Sequence, residues 1–388
     1  MNSSTWTYIP LERVLIGVDA AKTLLSEAER LDRAKAFVVT SNSMGKTSYL
    51  QNIITTLGDR YAGTYDGIRS HDHAEDILAG AAAARAADAD LIVAVGGGSA
   101  IDAAKVIPIL LRYDIRTFER MAPFRGREHV SEPSQRPDDE HRWVRMIAIP
   151  TTLSAAEFTW WGGVLEPGTG QKRPYAHPMG MARTIILDPM AAMTAPTDLF
   201  LATGMKAVDH SAERLTSSRQ DELSDARSIH SLKLLARGLR NVHRDPESAE
   251  ARHECQTGMA IGMASPLTGV GVGASHAIGH ALGGFNGVQH GLTSCAILPA
   301  VMRWNYPYNA ERQQLISDAL GRPDVSAGDA LEELIRDIGL PWRLRDVGAS
   351  RNDFAEVAER VITDHSIAAN ARKPTSTGEI VELLELAW

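Results

Sequence analysis

The chain has 388 residues, 44% hydrophobic and 23% charged, with 48 acidic against 40 basic side chains and a net charge of −8. That length holds two domains with separate cores, and the charge balance excludes a nucleic-acid footprint or a pull towards anionic membranes. Two cysteines, Cys255 and Cys295, exclude a disulfide framework and fit a reducing cytoplasm. No apolar run reaches the roughly 18 residues of a membrane span, and the N-terminus lacks the basic and apolar regions of a signal peptide.

In chain order, Val14-Leu15-Ile16-Gly17 ends a first strand and residues 18–31 carry an amphipathic helical pattern. Ala36–Val39 is a buried strand followed by the polar turn Thr40-Ser41-Asn42, and 62–66 is a weaker strand candidate. An alanine-rich helix over 74–88 leads to the strand Leu91–Val95 and then to Gly96-Gly97-Gly98-Ser99-Ala100-Ile101-Asp102-Ala103-Ala104-Lys105. A strand, a glycine turn and a helix N-terminus together make an anion site: glycines let backbone N–H groups approach a phosphate, and the helix dipole favours negative charge. Ser99 adds a hydroxyl, and Asp102 falls in the first turns of the helix, where a carboxylate is tolerated. The string is neither the G-x-G-x-x-G fingerprint nor a Walker loop.

Residues 122–143 read as a polar surface loop, 145–150 and 184–188 as further strands. Strands separated by helices imply a doubly wound parallel sheet. After Asp188-Pro189 the strand patterns stop, and helical periodicities over 223–243, 249–265, 309–320, 328–338 and 353–363 run to the C-terminus. The expected division is an α/β dinucleotide-binding domain over 1–188 and an all-helical domain over 189–388.

The helical half holds the second chemical signal. His276 and His280 are four apart on one helix, His290 precedes Gly291, and His210 lies one turn after Lys206 and three residues before Glu213. Imidazoles grouped with a carboxylate form a transition-metal site.

The glycine string, the segment Gly204-Met205-Lys206-Ala207-Val208-Asp209-His210-Ser211-Ala212-Glu213 and the run His276–His280 with His290-Gly291 resemble the iron-containing alcohol dehydrogenase superfamily, over nearly the whole chain. The resemblance implies a dehydroquinate-synthase-like architecture. In that family an aspartate and three histidines hold a metal, and the second histidine of the His-x-x-x-His pair lies beside the nicotinamide. Here Lys206 stands at the aspartate position. A protonated lysine has donors and no lone pair, so it repels a dication. Asp209, next to His210, points to a different face, so no catalytic metal is expected.

The maleylacetate reductases also lack that aspartate, and Ile149-Pro150-Thr151-Thr152-Leu153-Ser154-Ala155-Ala156-Glu157-Phe158-Thr159 is similar to their segment. By matching motif, the cofactor NAD(P)H is expected against Gly96, Gly97, Gly98, Ser99 and Asp102, with Thr151 and Thr152 on the nicotinamide-ribose side and Lys172 nearby. Thr40, Ser41 and Asn42 would take the adenosine end. Ser41 stands where an aspartate would repel a 2′-phosphate, so NADPH is expected to be accepted.

The resulting expectation is a metal-independent NAD(P)H-dependent reductase of a small, anionic, unsaturated or carbonyl substrate. Lys206, His210, His276 and His290 would serve at the catalytic site, with His280 positioning the ring or relaying a proton. The alternatives are a metal-dependent alcohol or aldehyde dehydrogenase, a non-redox catalyst on the same scaffold, and a nucleotide-binding protein without turnover. Trp6-Thr7-Tyr8-Ile9 reads as an unpaired edge strand, from which a homodimer is expected.

Overall fold

The computed structural model describes residues 7–127, 130, 139–168, 171–263, 269–286, 288 and 290–388. The middle of the polar loop over 122–143, the Thr169-Gly170 turn before Lys172 and Trp6 of the expected edge strand fall outside the described residues, as do the side chains of 284–286 and of His290. Two compact units form, over Thr7–Ala195 and Pro196–Trp388.

The first unit runs β1 (Arg13–Ile16), α1 (Ala20–Arg30), β2 (Ala36–Val39), α2 (Asn42–Gly45), α3 (Ser48–Leu57), β3 (Tyr61–Tyr65), α4 (Ala74–Ala86), β4 (Leu91–Gly96), α5 (Gly98–Arg112), β5 (Arg145–Pro150), β6 (Trp161–Leu165), β7 (Lys172–Ala176), β8 (Thr184–Leu187) and α6 (Pro189–Met193). Six strands form one parallel sheet in the order β1-β8-β5-β4-β2-β3. β2, β4, β5 and β8 are buried along their length apart from the first residue of β5, as a sheet covered on both faces requires. On one face Leu24, Leu50, Ile53 and Leu57 of α1 and α3 pack on Val38, Val93, Val95 and Ile147. β6 and β7 form a separate antiparallel ribbon, from Trp161↔Ala176 to Leu165↔Lys172. Tyr175, in this ribbon, is buried and donates to Glu166 Oε1 at 2.9 Å, and His177, just after it, stacks on Trp143.

Among the described residues the second unit is helical: α7 (Thr197–Leu215), α8 (Glu222–Arg244), α9 (Ala249–Met263), α10 (Ala274–Asn286), α11 (His290–Ala319), α12 (Ala327–Asp337), α13 (Phe354–Ile362) and α14 (Thr377–Leu386). α7 packs on α8 and α11, and α10 on α11 and α13. The helix expected from residue 309 is the second limb of α11, which bends at Asn309 (φ −152°), two residues after Pro307. No described helix is long and apolar enough to cross a membrane. Both cysteines are buried thiols.

Candidate functional site

Because β2, β4 and β5 are parallel neighbours, their carboxyl ends lie along one sheet edge, with Val39 opposite Ala94 and Gly96 opposite Pro150. That edge carries Thr40, Gly96 and Thr151, residues far apart in the chain. Gly96 takes φ +151°, and a Cβ there would sit 2.9 Å from Ala100 Cβ, so only glycine fits without displacement. Gly97 caps α5 and Gly98 opens it. A Cβ on Gly97 would lie 3.3 Å from Thr152 Cγ2, and one on Gly98 3.1 Å from Ser154 Oγ. The hydroxyls of Thr152 and Ser154 are buried and have no hydrogen-bond partner among the described residues. A cradle that side chains would fill, open helix amides and two orphaned donors fit a bound pyrophosphate. Ser154 was quoted in the sequence only as part of a motif; its place against Gly98 is a tertiary fact.

The remaining cofactor candidates divide. Ser41 caps α2 and contacts Ser43 Oγ at 3.1 Å, and Asn42 is the first residue of that short helix. Thr40 is buried with its hydroxyl committed to Val95 O at 2.6 Å, which ties β2 to β4. Thr151 is buried and its N–H donates to Gly96 O at 3.0 Å. Asp102 turns to the β6–β7 ribbon: it pairs with Lys105 at 2.7 Å, accepts from Gly163 N at 3.2 Å and lies 3.7 Å from Lys172 Nζ. Lys172 contacts Asp72, a buried carboxylate that sequence reasoning passed over.

The second cluster lies within the helical unit. Asp209 and Glu213, one turn apart on α7, face the start of α10, where His276 sits in the first turn. Glu213 Oε2 accepts from Gly273 N at 2.8 Å, from His276 N at 3.4 Å and from His276 Nδ1 at 2.8 Å, while Oε1 accepts from Ser275 N at 2.7 Å. The carboxylate thus serves as the N-terminal cap of α10 and orients the imidazole. Asp209 Oδ2 accepts from Ser275 Oγ at 2.8 Å; Oδ1 lies 3.7 Å from His276 Nδ1 and receives no hydrogen bond among the described residues. Ligand atoms of Asp209, Glu213 and His276 all lie within 4.8 Å of one another, and all three residues are buried.

Burial, with Glu213 as a like charge, pushes the Asp209 carboxyl up to about 7; burial also raises Glu213 to about 7, against the pull of the α10 amides. Burial lowers His276 to about 4, helped by His280, Lys206 and Arg214, so its imidazole is neutral at pH 7. With Nδ1–H given to Glu213, Nε2 is the basic nitrogen. Two buried carboxylates and a neutral imidazole are a donor set for a divalent transition ion, whose charge would offset the desolvation that raises both pKa values. The residues fit a metal.

This cluster overturns the expectation that no catalytic metal binds. The sequence argument judged Asp209 against its neighbour His210, whereas the partners that matter are Glu213, one turn on, and His276, brought by another helix. Lys206 is half-buried one turn before His210, and its carbonyl oxygen contacts His210 Nδ1 at 2.9 Å. The His210 ring lies 4.4 Å from that of His276, centroid to centroid. His280 shares α10 with His276 but is exposed; its Nδ1 meets Asp364 Oδ2 at 3.0 Å and its ring stacks on His365. Burial alone would raise Asp364, but the His280 contact and the Ser366 N–H bring it down to about 2. Asp364 was not singled out in the sequence, since no local motif marks it. His290 begins α11.

A parallel sheet with a glycine loop at its carboxyl edge and a helical unit with a buried carboxylate–imidazole cluster are the two parts of a dehydroquinate-synthase-like fold, and the family that the chain matches makes it an oxidoreductase. The chain belongs to the iron-containing alcohol dehydrogenase family: the family pattern matches residues 11–189, and the pattern of the family's C-terminal domain matches residues 200–388. Dehydrogenase FUM7 of Gibberella moniliformis is 29% identical, over 96% of this chain and 95% of its own. Maleylacetate reductase 1 of Cupriavidus pinatubonensis is 28% identical, over 91% and 89%. The crystal structure of a 1,3-propanediol oxidoreductase superposes with a TM-score of 0.86 at 25% identity, covering all of both chains. Maleylacetate reductase is therefore one of several branches the chain resembles.

Proposed function

We propose that this protein is a metal-assisted, NAD(P)-dependent oxidoreductase that interconverts a small carbonyl compound and its alcohol. The observation that carries the reading is the buried Asp209–Glu213–His276 cluster. A bound divalent ion there would polarise the carbonyl oxygen as a Lewis acid, and the nicotinamide would supply or accept hydride at the carbon.

The chain's own residues do the rest. Asp209 and His276 would hold the ion, and Glu213 keeps His276 oriented from the first turn of α10. Gly97, Gly98 and Ser99 present amides and a hydroxyl to the pyrophosphate. His280, its Nδ1 held by Asp364, is the proposed proton carrier to the substrate oxygen, and its exposure offers exchange with solvent. Lys206 supports an anionic substrate: its ammonium is close enough to depress the His276 pKa, and it would attract a carboxylate or sulfonate. This keeps one element of the resemblance to maleylacetate reductases, the charged substrate, and parts from the metal-free chemistry expected from the sequence.

The test is metal analysis of purified protein alongside NAD(P)H oxidation with aldehydes and 2-oxo acids, before and after chelation. Activity lost on chelation and restored by iron, zinc or manganese is the expected result. Full activity in rigorously metal-free protein overturns the reading.

A further inference from the structure

The β6–β7 ribbon lies directly against α5; Gly162 makes that approach possible, and Gly163 makes room for a side chain of the ribbon itself. A Cβ on Gly162 would fall 2.3 Å from Asp102 O, and one on Gly163 2.2 Å from Lys172 Cε. The space left at Gly163 is taken by the Lys172 stem. Its ammonium ends between Asp72, which it contacts, and Asp102, 3.7 Å away. Asp72 has no exposed surface and sits in the left-handed region (φ +60°), in the turn before α4. Its carbonyl accepts from Leu165 N at 2.9 Å, so ribbon and turn are locked together. Ser99, the last residue of the glycine loop, is near enough to Asp72 to temper the rise in its pKa, although no directed hydrogen bond reaches Oδ1.

Charge decides what this arrangement can do. Asp72, Asp102, Lys105 and Lys172 sum to zero, so the cluster adds no net attraction for a phosphate. An ammonium on a four-carbon stem with 40% of its side chain exposed would sample many positions unless tethered. Two carboxylates tether it, beside the loop that would carry the pyrophosphate.

We propose that Asp72 is a positioning residue of the cofactor site: it fixes Lys172 Nζ beside the glycine loop and cancels its charge. The cofactor then meets Lys172 as a directed donor to a hydroxyl oxygen, not as a loose counter-ion. The inference rests on the assignment of Gly96–Ser99 as the dinucleotide loop.

The two roles predict opposite signs. Asp72→Asn frees positive charge, so a counter-ion role predicts tighter binding of the anionic cofactor, and a positioning role predicts weaker binding. NADH and NADPH affinities are to be measured by nucleotide fluorescence titration, without substrate or added metal, on the parent, Asp72→Asn, Asp72→Glu, Lys172→Met and the Asp72→Asn/Lys172→Met double variant. Expected are a Kd raised about tenfold in Asp72→Asn, the size of one charge-assisted hydrogen bond, and partial recovery in Asp72→Glu. The double variant should bind no more weakly than Lys172→Met alone, because both changes remove one interaction. Asp72→Asn binding as tightly as the parent or tighter, or additive losses in the double variant, overturns the proposal. Should Asp72→Asn not fold, Asp72→Glu decides, because it keeps the charge and displaces the carboxylate: binding weaker than the parent's supports the proposal and parent-like binding overturns it. A parent that binds neither nucleotide overturns the dinucleotide-loop assignment itself.

Discussion

Replacing Glu213 with alanine tests whether one buried carboxylate both caps a helix and builds the metal site. The side chain is 2% exposed and accepts four N–H donors, three of them backbone amides at the start of α10 that have no intrahelical partner. Leaving four buried donors unsatisfied costs roughly 6 kcal/mol at about 1.5 kcal/mol each. Against that stands relief from burying a charge. The Glu213 pKa moves from 4.5 to about 7, which at pH 8 offsets about 3 kcal/mol. The net loss is about 3 kcal/mol, or a fall in Tm of roughly 6–12 °C for a domain of this size. The sign with pH follows from the same shift. The folded state keeps a proton on Glu213 between about pH 4.5 and 7 that the unfolded state has released, so the parent loses stability as pH rises through that window, and the variant lacks that contribution while keeping the one from Asp209. In metal-free protein the gap between parent and Glu213→Ala should therefore narrow from pH 5 to pH 8. Metal retained after dialysis should drop at least tenfold, since His276 loses its orienting partner. Thermal circular dichroism and elemental analysis read both. A Tm within 2 °C of the parent together with undiminished metal would refute the reasoning.

Four further outcomes follow from the site geometry. Gly97→Val, whose branched side chain would press on Thr152, should abolish detectable NAD(P)H binding by calorimetry while leaving the helical unit intact; parent-like affinity would move the pyrophosphate elsewhere. Ser41→Asp should shift preference from NADPH towards NADH by repelling the 2′-phosphate, and an unchanged ratio of Kd values would displace the adenosine end from α2. Lys206→Asp exchanges a cation near His276 for a carboxylate and should raise metal affinity by an order of magnitude or more; a lower metal content in that variant would count against the cluster as a metal site. Asp364→Asn should lower kcat by about tenfold with little change in KM and shift the pH profile, because His280 loses the negative charge beside Nδ1; unaltered kcat and pH profile would remove His280 from proton transfer.

What the chain determines by itself is what acts over short distances. Val93 and Val95 in an unbroken apolar run, three glycines and a helix-forming segment dictate β4, the loop and α5 within some twenty consecutive residues, and strand–helix alternation implied the parallel sheet. The loss of strand patterns after Asp188 likewise announced a helical second half, and spacing placed His276 and His280 on one helix. Spacing did not tell that one would be buried and the other exposed, because that depends on which neighbours cover α10. The metal expectation failed for the same reason. Lys206 and Asp209 were weighed along one helix, while the donor set is completed by His276, which lies 63 residues beyond Glu213 and is brought there by packing. Lys172 lies 100 residues from Asp72, the β6–β7 ribbon reaches α5 because Gly162 lacks a side chain, and Lys172 finds its place because Gly163 lacks one. Local periodicity encodes elements and the loops between them. The pKa values, the metal donors and the tethering of Lys172 arise from burial and from charges brought together across elements, and only the tertiary structure supplies those.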